Sequence, residues 1–419
     1  MKAVVVSNPT KSLKGKIALP ASKSISNRLL MIRALSGCDF TISNLSEADD
    51  TLLLGNLIDA IHHHHEPSRL MEIDTKNAGT VMRFLTAYLA ARPGKWMLTG
   101  SERMKQRPIG ILVEALKNLG AVIDYLSKIE YPPILVKGNP LTGKEVTIDA
   151  GISSQYSTAL LLIAPYLPEG LTIHHKGTVV SIPYIRMTTR LMQYYGASAK
   201  EGKTCIKVPP GRYLPRRFQV EADWSAAAFW YEAAVFAQEV DLELHGLFQN
   251  SLQGDAILPE IYQNFGIHTE FNAQGIHLTR IRKKPEGFYF DFTNYPDIAP
   301  AVITTCALLG IRSRFEGLRS LRLKETDRLR ALNNELDKFR PDILVSPSSD
   351  PFPTLEFGAS KSVVLPDQTF ETYGDHRMAM TFAMLALKSG SVRIINPDVV
   401  MKSYPGFWKH LHELGFLLQ

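Results

Sequence analysis

Ser22-Lys23-Ser24-Ile25-Ser26-Asn27-Arg28 stands directly before the apolar run Leu29 to Leu35. Small polar residues of this kind cap a helix start, where unpaired backbone N–H groups and the positive end of the helix dipole already favour negative charge. Lys23 and Arg28 deepen that well. The design returns at Asp375-His376-Arg377, before the apolar run Met378 to Leu387, and at Lys324-Glu325-Thr326-Asp327-Arg328. The last stretch reads as the opening of an amphipathic helix, on which Lys324 and Arg328 lie four apart and share a face, with Glu325 beside them. One such cluster alone would be ordinary capping plus a solvated charged face; three of one type point to anion sites.

Outward from the first cluster, a similar unit returns six times at intervals of roughly 55 to 80 residues. Each unit opens with a polar cap, continues as an apolar helix rich in Ala, Leu and Met, gives a short β-prone stretch, and closes with a second amphipathic helix near a glycine. The openings are Ser24 to Arg28, Asn77 to Arg83, Ser153 to Gln155, Asp223 to Ala226, Asp297 to Ala301 and Asp375 to Arg377. Closings of the second helix include Leu116 to Gly120, Met192 to Gly196, Ile261 to Gly266 and Leu411 to Gly415. Strand candidates fall between helices at Lys16 to Leu19, Trp96 to Thr99, Thr172 to His175, Val240 to His245 and Val392 to Ile395. This alternation predicts an α/β or α+β architecture, and a chain of 419 residues predicts two domains of three units each.

Bulk composition excludes several classes. Apolar content of 45% with 21% charged residues is that of a globular protein, and the net charge of +6 is scattered rather than striped, unlike a nucleic-acid binder. Cys38, Cys205 and Cys306 lie far apart without C-x-x-C spacing, so no disulfide framework or cysteine zinc site is expected, and a reducing, cytoplasmic location fits. Neither a signal peptide nor an apolar run of membrane-spanning length is seen. Dinucleotide and P-loop fingerprints are missing too. Asn77-Ala78-Gly79-Thr80 reads as a plain helix cap, His62 to His65 as a run that cannot face one metal, and Phe229, Trp230 and Tyr231 as core.

Together these clusters resemble the 5-enolpyruvylshikimate-3-phosphate synthase family, over Lys16 to Phe407. The motifs that carry the resemblance are Pro20 to Arg28, Asn77-Ala78-Gly79-Thr80-Val81-Met82-Arg83, Arg103-Met104-Lys105-Gln106-Arg107-Pro108-Ile109, Ser153-Ser154-Gln155, Lys324-Glu325-Thr326-Asp327-Arg328-Leu329 and Asp375-His376-Arg377-Met378-Ala379-Met380. The fold it implies is that of the enolpyruvyl transferases, an inside-out α/β barrel: two similar domains, each of three pseudo-symmetric sheet-and-helix units. One domain is discontinuous, residues 1–20 with 222–419, against 21–221. The implied reaction transfers the enolpyruvyl group of phosphoenolpyruvate to the 5-hydroxyl of shikimate 3-phosphate and releases phosphate, with no metal or organic cofactor. A monomer acting on small molecules, without nucleic-acid or membrane partners, is expected.

Carried over residue by residue, the resemblance assigns Lys23, Ser24, Arg28, Ser153, Ser154, Gln155, Ser181, Asp297, Ser320 and Lys324 to shikimate 3-phosphate. To phosphoenolpyruvate it assigns Lys23, Gly79, Arg107, Gln155, Arg328, Arg377 and Lys402. Catalytic roles fall to Asp297 as base, Glu325 as proton-transfer residue, Lys23 as electrostatic partner and His376 beside them. Arg83 is expected to brace its helix, because a position four after Gly79 looks back along the turn. The chain departs from the family's usual residues at Ala21, Phe84, Ile182, Ser320 and Gly374; Phe84 stands where Pro is usual. A UDP-N-acetylglucosamine enolpyruvyl transferase would need a cysteine in the loop Glu102 to Pro108, which has none. An RNA-end-processing enzyme of similar units is a more distant alternative. A non-catalytic anion or nucleic-acid binder would not need Asp297 and Glu325.

Overall fold

The computed structural model describes residues 2–281, 283, 285–347 and 349–419. The chain forms two compact units: unit one is Met1–Ser22, Glu47–Asp49 and Glu221–Gln419, and unit two is Lys23–Ser46 and Asp50–Val220.

Five four-stranded sheets share one topology. In unit two, strand Leu70–Asp74 leads through helix Gly79–Ala90 to the parallel strand Gly94–Thr99. Helix Gly110–Asn118 and the hairpin Val122–Tyr125/Ile134–Gly138 then complete the sheet, with Ile134–Gly138 antiparallel to Gly94–Thr99. The same order is repeated around Leu171–Lys176 in unit two and around Glu239–His245 and Arg312–Glu316 in unit one. Each parallel pair is a strand–helix–strand crossover, which needs a helix to cover the sheet.

Two repeats are closed by strands remote in sequence. Around Ser391–Ile395 the final strand is Ala3–Ser7, and around Ile42–Ser43 the parallel partner is Phe218–Gln219. Strand Ser12–Ala18 belongs to the sheet of Glu239–His245, so the whole of unit two is inserted between that strand and helix Trp224–Phe236.

The first helix of each repeat forms the core. In unit one, Trp224–Phe236, Ala299–Leu309 and His376–Ala383 pack on one another and are buried on nearly every side, as their predominantly apolar sequences favour. Phe229, Trp230 and Tyr231 are among the buried side chains, as the sequence predicts. In unit two, Lys23–Ser36, Gly79–Ala90, Ser154–Ile163 and Ile182–Tyr194 pack together in the same way. Cys38 lies just past a helix end, Cys205 opens a strand and Cys306 is inside a helix. Among the described residues no helix is long and apolar enough to cross a membrane.

One local expectation is corrected. Lys324 to Asp327 do not form a helical turn: Lys324 is extended (φ −83°, ψ −160°) and the helix runs Arg328–Leu336. Asp327 captures the Arg330 N–H at 3.1 Å, and that cap fixes the helix start at Arg328, four residues later than the charge pattern implies. Lys324 and Arg328 therefore share a partner rather than a helical face.

Candidate active site

In unit one that partner is Asp297. Its Oδ1 receives Lys324 Nζ at 3.2 Å and Arg328 Nη1 at 3.3 Å, while Oδ2 lies 3.1 Å from Arg377 Nη2. Asp297 precedes helix Ala299–Leu309, but the cap position is Ile298 and makes no side-chain cap bond, so the carboxylate is left for the cations. Pro300 supplies the fixed φ with which that helix starts. Burial would raise Asp297, yet Arg377, Lys324 and Arg328 outweigh it and hold the carboxyl well below the usual range.

Arg328 is the hub of the network. Its guanidinium is buried and donates Nε to Asp375 Oδ2 at 2.7 Å and Nη2 to Glu325 Oε2 at 2.9 Å. Asp375 also caps helix His376–Ala383 by accepting the Arg377 N–H at 2.9 Å, which fixes where the Arg377 side chain leaves the backbone. The His376 ring is buried with Nδ1 3.7 Å from Asp375 Oδ1. Lys402 ends a short 3₁₀ segment, Pro397–Lys402, that packs against this helix, and Ser320 lies in another, Arg319–Leu323. Both side chains are half-buried.

Unit two brings together a second set. Lys23 pairs with Asp50 at 3.1 Å. Arg28 is 4% exposed and is held by Thr188 Oγ1 at 2.8 Å, the Ser24 carbonyl at 2.7 Å and the Tyr184 carbonyl at 3.2 Å, with the Phe84 ring 5.8 Å beneath it. Among the described residues no carboxylate pairs with it. Burial pulls this guanidinium down to about 10, still cationic at neutral pH.

Asn77 does not cap helix Gly79–Ala90. Ala78 takes the cap position without a side-chain bond, and the Asn77 carbonyl instead receives Arg107 Nη1 at 3.2 Å. Gly79 is the reason Arg107 reaches so far: a Cβ there would lie 2.4 Å from Nη2. Arg83 braces the same turn, donating to the Gly79 and Pro108 carbonyls. The helix runs through Phe84 without interruption.

Ser153 caps helix Ser154–Ile163 through the Gln155 N–H, and Gln155 Nε2 reaches Thr80 Oγ1 at 3.3 Å. Ser181 is buried in the left-handed region (φ 56°, ψ 40°) at the start of helix Ile182–Tyr194, yet its hydroxyl caps nothing. A non-glycine residue held there marks a backbone fixed by its surroundings, with the hydroxyl not spent on the cap. Of His62 to His65, the first three make separate contacts, to Tyr88 and to the Asp59 and Arg69 carbonyls. No group of three or more metal-binding side chains occurs among the described residues.

The EPSP synthase (3-phosphoshikimate 1-carboxyvinyltransferase) family pattern matches residues 7–411. The chain belongs to this family. A 3-phosphoshikimate 1-carboxyvinyltransferase of Bacteroides fragilis is 44% identical over 405 residues, covering 96% of each chain, and that of Colwellia psychrerythraea is 33% identical with 97% and 98% covered. The solved EPSP synthase of Acinetobacter baumannii superposes with a TM-score of 0.76 at 22% identity over 100% of both chains. The enolpyruvyl transferase NikO of Streptomyces tendae gives 0.75 at 14% identity, covering 100% of this chain and 98% of that one. These two show the enolpyruvyl transferase fold, whose sheet-and-helix units are the repeats described above.

Sequence reasoning did not assign Asp50, Asp375 or the residues that hold Arg28. Asp375 sat in a quoted motif, and its place before a helix was a usable signal. Asp50, Thr188 and Tyr184 gave none, since only the fold brings them to Lys23 and Arg28.

Proposed function

We infer that the protein transfers the enolpyruvyl group of phosphoenolpyruvate to the 5-hydroxyl of shikimate 3-phosphate and releases phosphate, a step of aromatic amino-acid biosynthesis. Family membership supports the reaction. The observation that ties it to this chain is Arg28, a buried guanidinium with carbonyl and hydroxyl partners but no carboxylate among the described residues, suited to receive an anion from solution. Both substrates carry a phosphate and a carboxylate.

Under this reading the two compact units are the family's two domains. Ser24 and Arg28 take the shikimate carboxylate end, and Ser153, Ser154 and Ser181 its phosphate, with Ser320 near the ester. Gln155, Asp297 and Lys324 take the ring hydroxyls. Lys23, Gly79, Arg107, Gln155, Arg328, Arg377 and Lys402 hold the donor. The uncommitted Ser181 hydroxyl and the close approach of Arg107 to Gly79 support these assignments.

The chemistry is addition followed by elimination. The 5-oxygen bonds to C2 of the donor as Asp297 takes the hydroxyl proton, and Glu325 gives a proton to the methylene carbon. The bond from C2 to the phosphate oxygen then breaks, and Glu325 takes a proton back from the new methyl group, restoring the double bond. Lys23 and Lys324 steady the charge that develops. Asp297 is held ionised by its three cations. Substrate anions that neutralise Arg377, Lys324 and Arg328 raise its proton affinity toward what the first step requires.

Phosphate release measured with each substrate alone and with both tests the reading. Release only with both is expected. Release with UDP-N-acetylglucosamine in place of shikimate 3-phosphate, or none with the pair, would overturn it.

A further inference from the structure

Thr188 touches no substrate in the reading above, yet it is the node through which the Arg28 guanidinium is held. Both side chains lie in unit two, and Thr188 is fully buried, as is Thr158 beside it. A hydroxyl has one hydrogen to give and two lone pairs to fill. The Thr188 hydrogen goes to the Tyr184 carbonyl at 2.9 Å, one turn back in helix Ile182–Tyr194. With that hydrogen committed, the oxygen acts as an acceptor toward its other neighbours. It receives Arg28 Nε–H at 2.8 Å, and Thr158 Oγ1 lies 3.2 Å away as the second donor. The hydroxyl is thus fully used and cannot turn away from the guanidinium.

Arg28 has five N–H groups. Three make short bonds: Nε to Thr188, Nη1 to the Ser24 carbonyl at 2.7 Å and Nη2 to the Tyr184 carbonyl at 3.2 Å. A further contact, Nη2 to Thr158 Oγ1, is long at 3.5 Å. Each nitrogen is therefore tied to a different neutral acceptor, which fixes the plane of the guanidinium, while Nη1 keeps a second N–H for an incoming anion. The Phe84 ring lies 5.8 Å beneath that plane. Two of the three acceptors, Thr188 and the Tyr184 carbonyl, belong to the helix that starts just after Ser181. Thr188 and Ser181 are two turns apart on one face of it, about 10 Å of rise.

We propose that Thr188 is a positioning residue: it aims Arg28 at the acceptor's carboxylate, so that one helix, with Ser181 at its start, sets the separation of carboxylate and phosphate that the protein accepts. The proposal rests on the reading above, in which Arg28 meets the carboxylate and Ser181 the phosphate. What the hydroxyl contributes is preorganisation. Without it the guanidinium keeps its charge but must be ordered anew each time the acceptor binds, and the cost falls on affinity rather than on the chemical step.

The test is calorimetric binding of shikimate 3-phosphate and of its carboxamide analogue, with KM and kcat measured alongside. Thr188→Val keeps the shape and removes the acceptor. Affinity for shikimate 3-phosphate should fall, and its KM rise, by about 10- to 100-fold, the equivalent of one hydrogen bond from a charged group. kcat should stay within about threefold, as for a loss of ground-state binding. The carboxamide lacks the charge that Arg28 meets, so Thr188→Val and the unmodified protein should bind it within about threefold of each other. Thr188→Ser, which restores the hydroxyl, should recover most of the loss, and Thr188→Val should add little to Arg28→Gln. In the substrate-free unmodified protein, nuclear magnetic resonance of an arginine-labelled sample should show a slowly exchanging Arg28 Nε–H, a readout that needs no Thr188 variant to fold. Equal losses for carboxylate and carboxamide, serine as damaging as valine, full additivity with Arg28→Gln, or a freely exchanging Arg28 Nε–H would each overturn the proposal. An unmodified protein that binds neither ligand would instead overturn the functional reading, and the proposal with it.

Discussion

Gly79→Ala tests the donor side of the site most directly. A Cβ at Gly79 would lie 2.4 Å from Arg107 Nη2 and 2.8 Å from both Cζ and Nη1. Ordinary contacts between such atoms are about 3.5 Å, so the guanidinium must withdraw by roughly 1 Å. The obstacle is the end of a flexible side chain, and the fold should survive. What is lost is the Arg107 bond to the Asn77 carbonyl, now at 3.2 Å, and the direction that bond gives the guanidinium. A hydrogen bond from a charged group is worth about 1.5–3 kcal/mol, which corresponds to a rise of about 10- to 100-fold in KM for phosphoenolpyruvate. Steady-state kinetics at saturating shikimate 3-phosphate, with thermal melting as a control, measure it. The same methyl group should relieve inhibition by glyphosate, expected here to compete with phosphoenolpyruvate. Because the effect runs through Arg107, Gly79→Ala should add little to Arg107→Ala. An unchanged KM, or full additivity of the two substitutions, would refute the reasoning.

Lys23→Met should remove turnover far more than shikimate 3-phosphate binding, and it also strands the buried Asp50. Breaking such a pair costs about 3–5 kcal/mol when fully buried, and less here because Lys23 is partly exposed. Adding Asp50→Asn should restore the melting temperature without restoring turnover; recovery of both would remove Lys23 from the catalytic set. Glu232 is fully buried in helix Trp224–Phe236, with neither carboxyl oxygen hydrogen-bonded among the described residues, and burial pushes its carboxyl well above the usual range. The unfolded chain releases that proton from about pH 4.5 upward while the folded protein retains it, so stability is full below that pH and falls as pH rises toward the folded titration. The slope is about 1.4 kcal/mol per pH unit. Glu232→Gln should abolish this contribution, and denaturant unfolding at acid and alkaline pH would show equal slopes in both proteins if the argument is wrong.

The repeating strands and helices were legible because the central helices carry long apolar runs and some of the strands that follow are short and β-branched, as at Val392 to Ile395. The start of helix Arg328–Leu336 was not. Any of Lys324 to Asp327 could precede it, and only the Asp327 cap chooses among them. Asn77 misled for a tertiary reason: it stands where a cap would, but the approach of Arg107 to Gly79 governs the geometry there. Arg28 and Asp297 were found from motifs, while their partners Thr188 and Arg377 come from distant repeats.

The closure of two repeats by strands remote in sequence sets the order in which the protein can form on the ribosome. Unit two is complete once Phe218–Gln219 has paired with Ile42–Ser43, so it can fold while residues 221–419 are still being made. At about 5–20 residues per second that leaves a wait of roughly 10–40 s. Throughout it Ala3–Ser7 and Ser12–Ala18 hang unpaired from a finished body, because Ser12–Ala18 needs Glu239–His245 and Ala3–Ser7 needs Ser391–Ile395. The N-terminal strand is thus among the first segments synthesised and the last to find its place. Lys11, Lys14 and Lys16, which flank and stud these exposed strands, discourage other edges from pairing with them in the interval.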